Sequence, residues 1–197
     1  MDPWRGRLAD GVELGPDARG DLEDARAEGR VVQAALVKRY PSLIAKGPGE
    51  AEPNTLAPMI AGADLLHFAG HAEARGRRGW RSRLVLTRGA LTVADLVTLG
   101  TPPRRAVLTG CETAAAERAD LSAGMGLGQS LLLSGSEEVV ATTERLDSAN
   151  ALAFSTALYE TWDPADPSLA RAFVAALSEL DDAGLDWTPF VLMMRAP

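Results

Sequence analysis

Three short apolar runs recur along the chain: Asp64-Leu65-Leu66-His67-Phe68-Ala69, Ala106-Val107-Leu108-Thr109, and Glu138-Val139-Val140-Ala141-Thr142-Thr143. Runs of this kind, without regular polar alternation, read as strands covered on both faces. Such strands belong to parallel sheets whose members are joined by helical crossovers. Helical segments lie between these runs, so the pattern predicts an α/β domain with a mostly parallel central sheet flanked by helices. At 197 residues the chain holds one such domain with a full-sized core and is short for two.

The other elements fall into place around these strands. Residues 1–20 carry only a weak strand candidate, around Arg7–Leu14, among glycines and Pro16, and are expected to be a loosely anchored segment. Residues 21–197 form the expected domain. Asp21 is a candidate cap for a helix reaching about Tyr40, with Leu22, Ala25, Val32 and Leu36 near helical spacing and Pro41 ending it. Ser42–Ala45 is a short strand candidate, and Asn54 is expected to cap a helix through Ile60. Arg88-Gly89 reads as the turn of a hairpin between Leu84–Thr87 and Ala90-Leu91. Thr92 and Asp95 form a capping-box start for a helix over Val93–Leu99, stopped by Pro102 and Pro103. Further helices are expected near Met125–Leu133, Ser148–Thr161 and Ser168–Leu180, and a last strand at Trp187–Met194.

Charge and composition exclude several function classes. A net charge of −7 is wrong for a nucleic-acid partner, which needs a cationic face. The one basic cluster, Arg75, Arg77, Arg78, Arg81 and Arg83, reads as a solvated loop. Cys111 is the single cysteine, so no intrachain disulfide forms and a structural zinc site is not expected. Gly124-Met125-Gly126-Leu127-Gly128 lacks the glycine spacing of a dinucleotide loop and fits close helix packing instead. No cofactor is expected. The first ten residues do not resemble a secretory signal, and no apolar run approaches the roughly 20 residues that span a bilayer. The expectation is a cytoplasmic protein with no membrane partner.

In a parallel sheet every strand ends on the same edge, and residues just past neighbouring strands meet there. His71 follows one predicted strand and Cys111 follows another, with a hairpin and a helix between them to make one crossover. An imidazole beside a thiol raises the thiolate fraction and can later protonate a leaving amine. Backbone N–H groups in the turns at Gly70–Ala72 and Gly110–Cys111 are candidate oxyanion donors. On the residues alone, a cysteine beside a strand is more often an inert packing group. His67, inside its strand, reads as a core histidine.

The segments His67-Phe68-Ala69-Gly70-His71 and Thr109-Gly110-Cys111-Glu112-Thr113 resemble the two signatures of CHAT domains, a family similar to caspases and separases. The likeness continues through Ser82–Leu86, Gly89–Leu96, Gly126–Gly135, Glu138–Thr142 and Trp187–Val191. It implies a caspase-like three-layer fold and a cysteine endopeptidase, with Cys111 as nucleophile and His71 as general base. Ala72 and Gly110 would then border the oxyanion site. The implied partners are a protein substrate and a regulatory protein, in signalling, defence or regulated cell death. A catalytically weak protein-interaction module is the alternative. The chain departs from the family at Ala72, where glycine is common, at Gly110, where alanine is common, and at Thr143-Glu144, where a tryptophan is common. The stretch before the histidine strand is short, so the first β-α unit is expected to be incomplete or absent. Caspase-like folds read the side chain before the scissile bond with the loop after the post-cysteine strand. Here that loop carries Glu144 and Asp147, which would favour Lys or Arg; the competing reading makes Asp147 a helix cap.

Overall fold

In chain order the elements are β1 (Leu8–Asp10), α1 (Leu22–Arg39), α2 (Pro53–Ile60), β2 (Leu65–Phe68), β3 (Ala72–Glu73), β4 (Arg83–Leu86), β5 (Gly89–Thr92), α3 (Val93–Val97), β6 (Arg105–Leu108), α4 (Leu127–Ser134), β7 (Glu138–Thr142), α5 (Ser148–Thr161), α6 (Ala170–Asp182) and β8 (Phe190–Met194). They come from a computed structural model that describes residues 8–10, 22–39, 52–74, 79–86, 88–110, 113, 126–163 and 168–196. The central sheet has the order β1-β2-β6-β7-β8. Its first four strands run parallel and β8 runs antiparallel to β7. A second, antiparallel sheet, β3-β4-β5, leaves the main one just after β2.

The three central strands are buried at every position, as the continuous apolar runs require. Successive side chains go to opposite faces. Leu66, Phe68, Ala106, Leu108, Val139 and Ala141 pack with α2, α3, α4 and the β4–β5 hairpin. Leu65, Val107 and Val140 pack with α1, α5 and α6. On this second face the amphipathic stripe of α6 is buried at Ala172, Phe173, Ala176 and Leu180, and Phe154 of α5 stacks on Phe190 with ring centroids 4.0 Å apart. Each fully buried aliphatic or phenylalanine side chain contributes about 1.5–3 kcal/mol.

Gly128 on α4 lies so close to the sheet that an added Cβ would run into the Met193 methyl and sit 3.3 Å from Ala141 Cβ. Close helix packing is therefore what this glycine allows. Gly89 holds φ +105 where the β4–β5 hairpin turns, which a residue with a Cβ adopts only under strain. Thr92 and Asp95 form the reciprocal capping box at the start of α3.

Three local expectations change. The first β-α unit is present: β1 pairs in parallel with β2, Leu8 opposite Leu65, and α1 follows it. Helix α2 starts at Pro53, ahead of Asn54; Leu56 N donates to Glu52 O, and proline's fixed φ suits a first helical position. Residues Ala72–Glu73, expected as loop, form β3 by pairing with Leu84 and Arg83. The candidate strand Ser42–Ala45 and the cap Asp21 lie outside the described residues. Among the described residues no helix is long and apolar enough to cross a membrane.

Candidate active site

Strands β2 and β6 are neighbours with Phe68 opposite Leu108, and Thr109 N donates to Phe68 O at 3.0 Å. His71 stands three residues past Phe68, and Cys111 three residues past Leu108. The sheet register therefore brings the ends of the two motif strands side by side, as the α/β pattern required.

His71 is half-buried, and its Nε2 is screened from solvent. Its backbone carbonyl accepts from Val85 N at 2.9 Å. Ala72 then pairs with Leu84 and Glu73 with Arg83, whose Nε donates to Glu73 Oε2 at 2.6 Å. The histidine is thus fixed between two sheets, β2 on one side and β3 on the other.

Cys111 and Glu112 lie outside the described residues, but Gly110 and Thr113 on either side are described. Gly110 is buried against the histidine turn: a Cβ placed on it would lie 2.7 Å from Gly70 O and 3.1 Å from Ala72 Cβ. The two signature turns are in contact there, and only a residue without a side chain fits. The Gly110 carbonyl accepts from Thr142 Oγ1 at 2.6 Å. Thr113 Oγ1 donates to Leu108 O at 3.0 Å, and Gly128 N at the start of α4 donates to Thr113 O at 3.0 Å.

Beneath these turns, on the α1/α5 face, a polar cluster is sealed from water. His67 is fully buried, its Nδ1 3.1 Å from the Tyr159 hydroxyl. His67 Nε2 lies 3.2 Å from Glu28 Oε1 without straight hydrogen-bond geometry, a contact that is an ion pair only when the imidazole is protonated. The same carboxylate oxygen accepts from Thr109 Oγ1 at 2.7 Å and from Ser155 Oγ at 2.5 Å. His67 is a core histidine, as its position inside the strand implied. In the sequence, Thr109, Thr113 and Thr142 stood out only as members of a motif or a strand, with no role of their own, and Glu28 did not stand out at all among the charged residues of α1.

Glu144 and Asp147 are exposed in the loop after β7. Asp147 Oδ1 accepts from Ala149 N at 2.8 Å and caps α5, so the capping alternative holds for this residue. Among the described residues no group of three or more His, Cys, Asp or Glu side chains gathers as a metal site would.

The sequence profile of the CHAT domain family matches residues 12–195. No curated protein matches the chain by sequence. Among solved structures, the chain is similar to the Saccharomyces cerevisiae separase in complex with securin, with a TM-score of 0.68 and 18% identity over 98% of this chain and 12% of that one. It is also similar to the RgpB pro- and mature domains of Porphyromonas gingivalis, with a TM-score of 0.64 and 9% identity over 90% of this chain and 43% of that one. A separate structure of the Arg-specific cysteine proteinase gingipain R gives a TM-score of 0.55 and 12% identity over 89% of this chain. The chain thus spans about an eighth of the separase chain and about two fifths of the gingipain chains. At these identities the likeness is one of fold, and that fold is the caspase-like one.

Proposed function

Because the chain belongs to the CHAT domain family, we propose that it is a cysteine endopeptidase domain with Cys111 as nucleophile and His71 as general base. The observation that carries this reading is the contact of Gly110 with Gly70 and Ala72, which joins the turn before the cysteine to the turn holding the histidine. In this scheme the imidazole takes the thiol proton, the thiolate attacks the scissile carbonyl, and the imidazolium returns the proton to the leaving amine. Water then hydrolyses the acyl-enzyme. Backbone N–H groups of the turns that contain Ala72 and Gly110 face the developing oxyanion in this scheme, at no cost of reorganisation.

The substrate is a protein, and a second protein regulates access to the site. The securin complex of the separase neighbour supports a protein partner by analogy. Glu144 selects Lys or Arg before the scissile bond; the Arg-specific gingipain neighbour is consistent with that choice.

Peptide-library cleavage tests the reading. Cys111→Ala abolishes cleavage at a stability cost of about 1 kcal/mol, and Glu144→Ala erases a basic preference. Cleavage by Cys111→Ala at the wild-type rate removes the cysteine from the mechanism. An apolar or acidic preference unchanged by Glu144→Ala removes the pocket.

A further inference from the structure

Thr142, the last residue of β7, is fully buried and makes its hydrogen bonds to both sides of the two-residue step Cys111-Glu112. Its hydroxyl donates to Gly110 O at 2.6 Å and accepts from Thr113 N at 3.3 Å. Its own backbone N–H donates to Thr113 Oγ1 at 2.9 Å. A threonine hydroxyl has one proton and two lone pairs. Thr142 gives its proton to Gly110 O, and Thr113, also fully buried, gives its proton to Leu108 O at 3.0 Å. Each hydroxyl then accepts from the other residue's backbone N–H. The 3.3 Å approach of the two hydroxyl oxygens therefore needs no proton between them.

We propose that Thr142 is a positioning residue for the cysteine turn, its hydroxyl setting the plane of the Gly110–Cys111 peptide. This inference rests on the assignment of Cys111 and His71 as the reacting pair. A peptide unit is planar and trans, so a carbonyl fixed in direction fixes the opposed N–H of the same unit. Thr142 holds the Gly110 carbonyl and so aims the following amide, one of the N–H groups of this turn assigned to the oxyanion. The bond from Thr113 N holds the far side of the turn. The hydroxyl acts through backbone only and never meets the substrate.

Thr142→Val removes the hydroxyl at nearly constant volume, and Thr142→Ser keeps it. Each is compared with wild type in two assays, corrected for folded fraction by circular dichroism: steady-state peptide cleavage, and the rate at which a peptide electrophile captures Cys111. Thr142→Val lowers kcat and the capture rate by about tenfold to a hundredfold with KM little changed, the scale expected when a reacting group is misplaced. Thr142→Ser recovers most of both. Thr113→Val, which breaks the same pair from the other side, lowers both as well and decides the matter if Thr142→Val does not fold. Capture at the wild-type rate by folded Thr142→Val or Thr113→Val overturns the inference. So does an equal loss in Thr142→Val and Thr142→Ser. Wild-type Cys111 that resists the electrophile altogether instead overturns the parent assignment of the reacting pair.

Discussion

Strands β6 and β7 are tied together differently at their two ends. At the amino ends the ties are charged. Arg105 Nε donates to Glu138 Oε2 at 3.0 Å, with both side chains almost wholly buried. Glu138 also accepts from Ser168 Oγ at 2.6 Å and from Leu169 N at 2.9 Å, where α6 begins. At the carboxyl ends the ties are the hydroxyls of Thr113 and Thr142 and the backbone groups they meet. A buried ion pair is costly to desolvate and needs further hydrogen bonds to repay that cost, as Ser168 and Leu169 supply to Glu138. It would also bias any titrating group nearby. Hydroxyls fix the same geometry without adding net charge beside the proposed reacting pair. Glu28, the carboxylate that reaches this end from below, is enclosed by the hydroxyls of Thr109 and Ser155.

The contrast predicts separable effects. Glu138→Ala strands the buried Arg105 guanidinium and removes the acceptor at the start of α6. It should cost about 3–5 kcal/mol in denaturant unfolding, where Glu137, 3.6 Å from Arg105, does not compensate. The alkylation rate of Cys111 in the folded protein should stay at the wild-type value. A large drop in that rate would mean that the two ends act as one unit.

Gly110→Ala acts at the other end and should change reactivity as well as stability. The new methyl meets a backbone oxygen at 2.7 Å, so the turn must shift; we expect a loss of about 1–3 kcal/mol together with slower capture of Cys111. Adding Ala72→Gly relieves the 3.1 Å methyl contact but leaves Gly70 O in place, so recovery is partial. Full wild-type reactivity in the single variant would show that the two turns are not tightly apposed.

The smallest effect lies in the exposed segment just before β8. Asp186 accepts from the side chain and backbone N–H of Thr188, at 2.6 and 3.0 Å, and these bonds hold its carboxyl below the ordinary 3.8. Its contribution is in place above the unfolded value and is lost as pH falls through the lowered folded value. Thr188→Val should therefore narrow the stability difference between pH 5 and pH 3 slightly. An unchanged acid dependence would remove Asp186 from it.

What the sequence reveals follows the range of the interaction. The continuous apolar runs at 64–69, 106–109 and 138–143 mark the buried strands, because burial on both faces leaves its signature in adjacent residues. Thr92-Asp95 and Asp147-Ser148 mark helix starts for the same local reason. Helix α6 begins at Ala170, after Ser168, whose hydroxyl accepts from Ala170 N, and the Leu169 N–H goes to Glu138, far back in the chain. Strand β3 escaped notice because two residues form a strand only when β4 supplies the partner. At the site, the adjacency of the two strands that precede the motif turns was readable from the apolar runs. The threonine pair was not, since nothing local links Thr142 to Gly110.

The central claim is that Cys111 and His71 are the reacting pair. It is tested most directly by the pH dependence of Cys111 alkylation in wild type and in His71→Ala. With the imidazolium in place the thiolate is stabilised, so the wild-type midpoint should fall well below the roughly 8.5 of a free thiol. In His71→Ala it should rise to that value or above. A wild-type midpoint at or above the free-thiol value, unmoved by His71→Ala, would contradict the account.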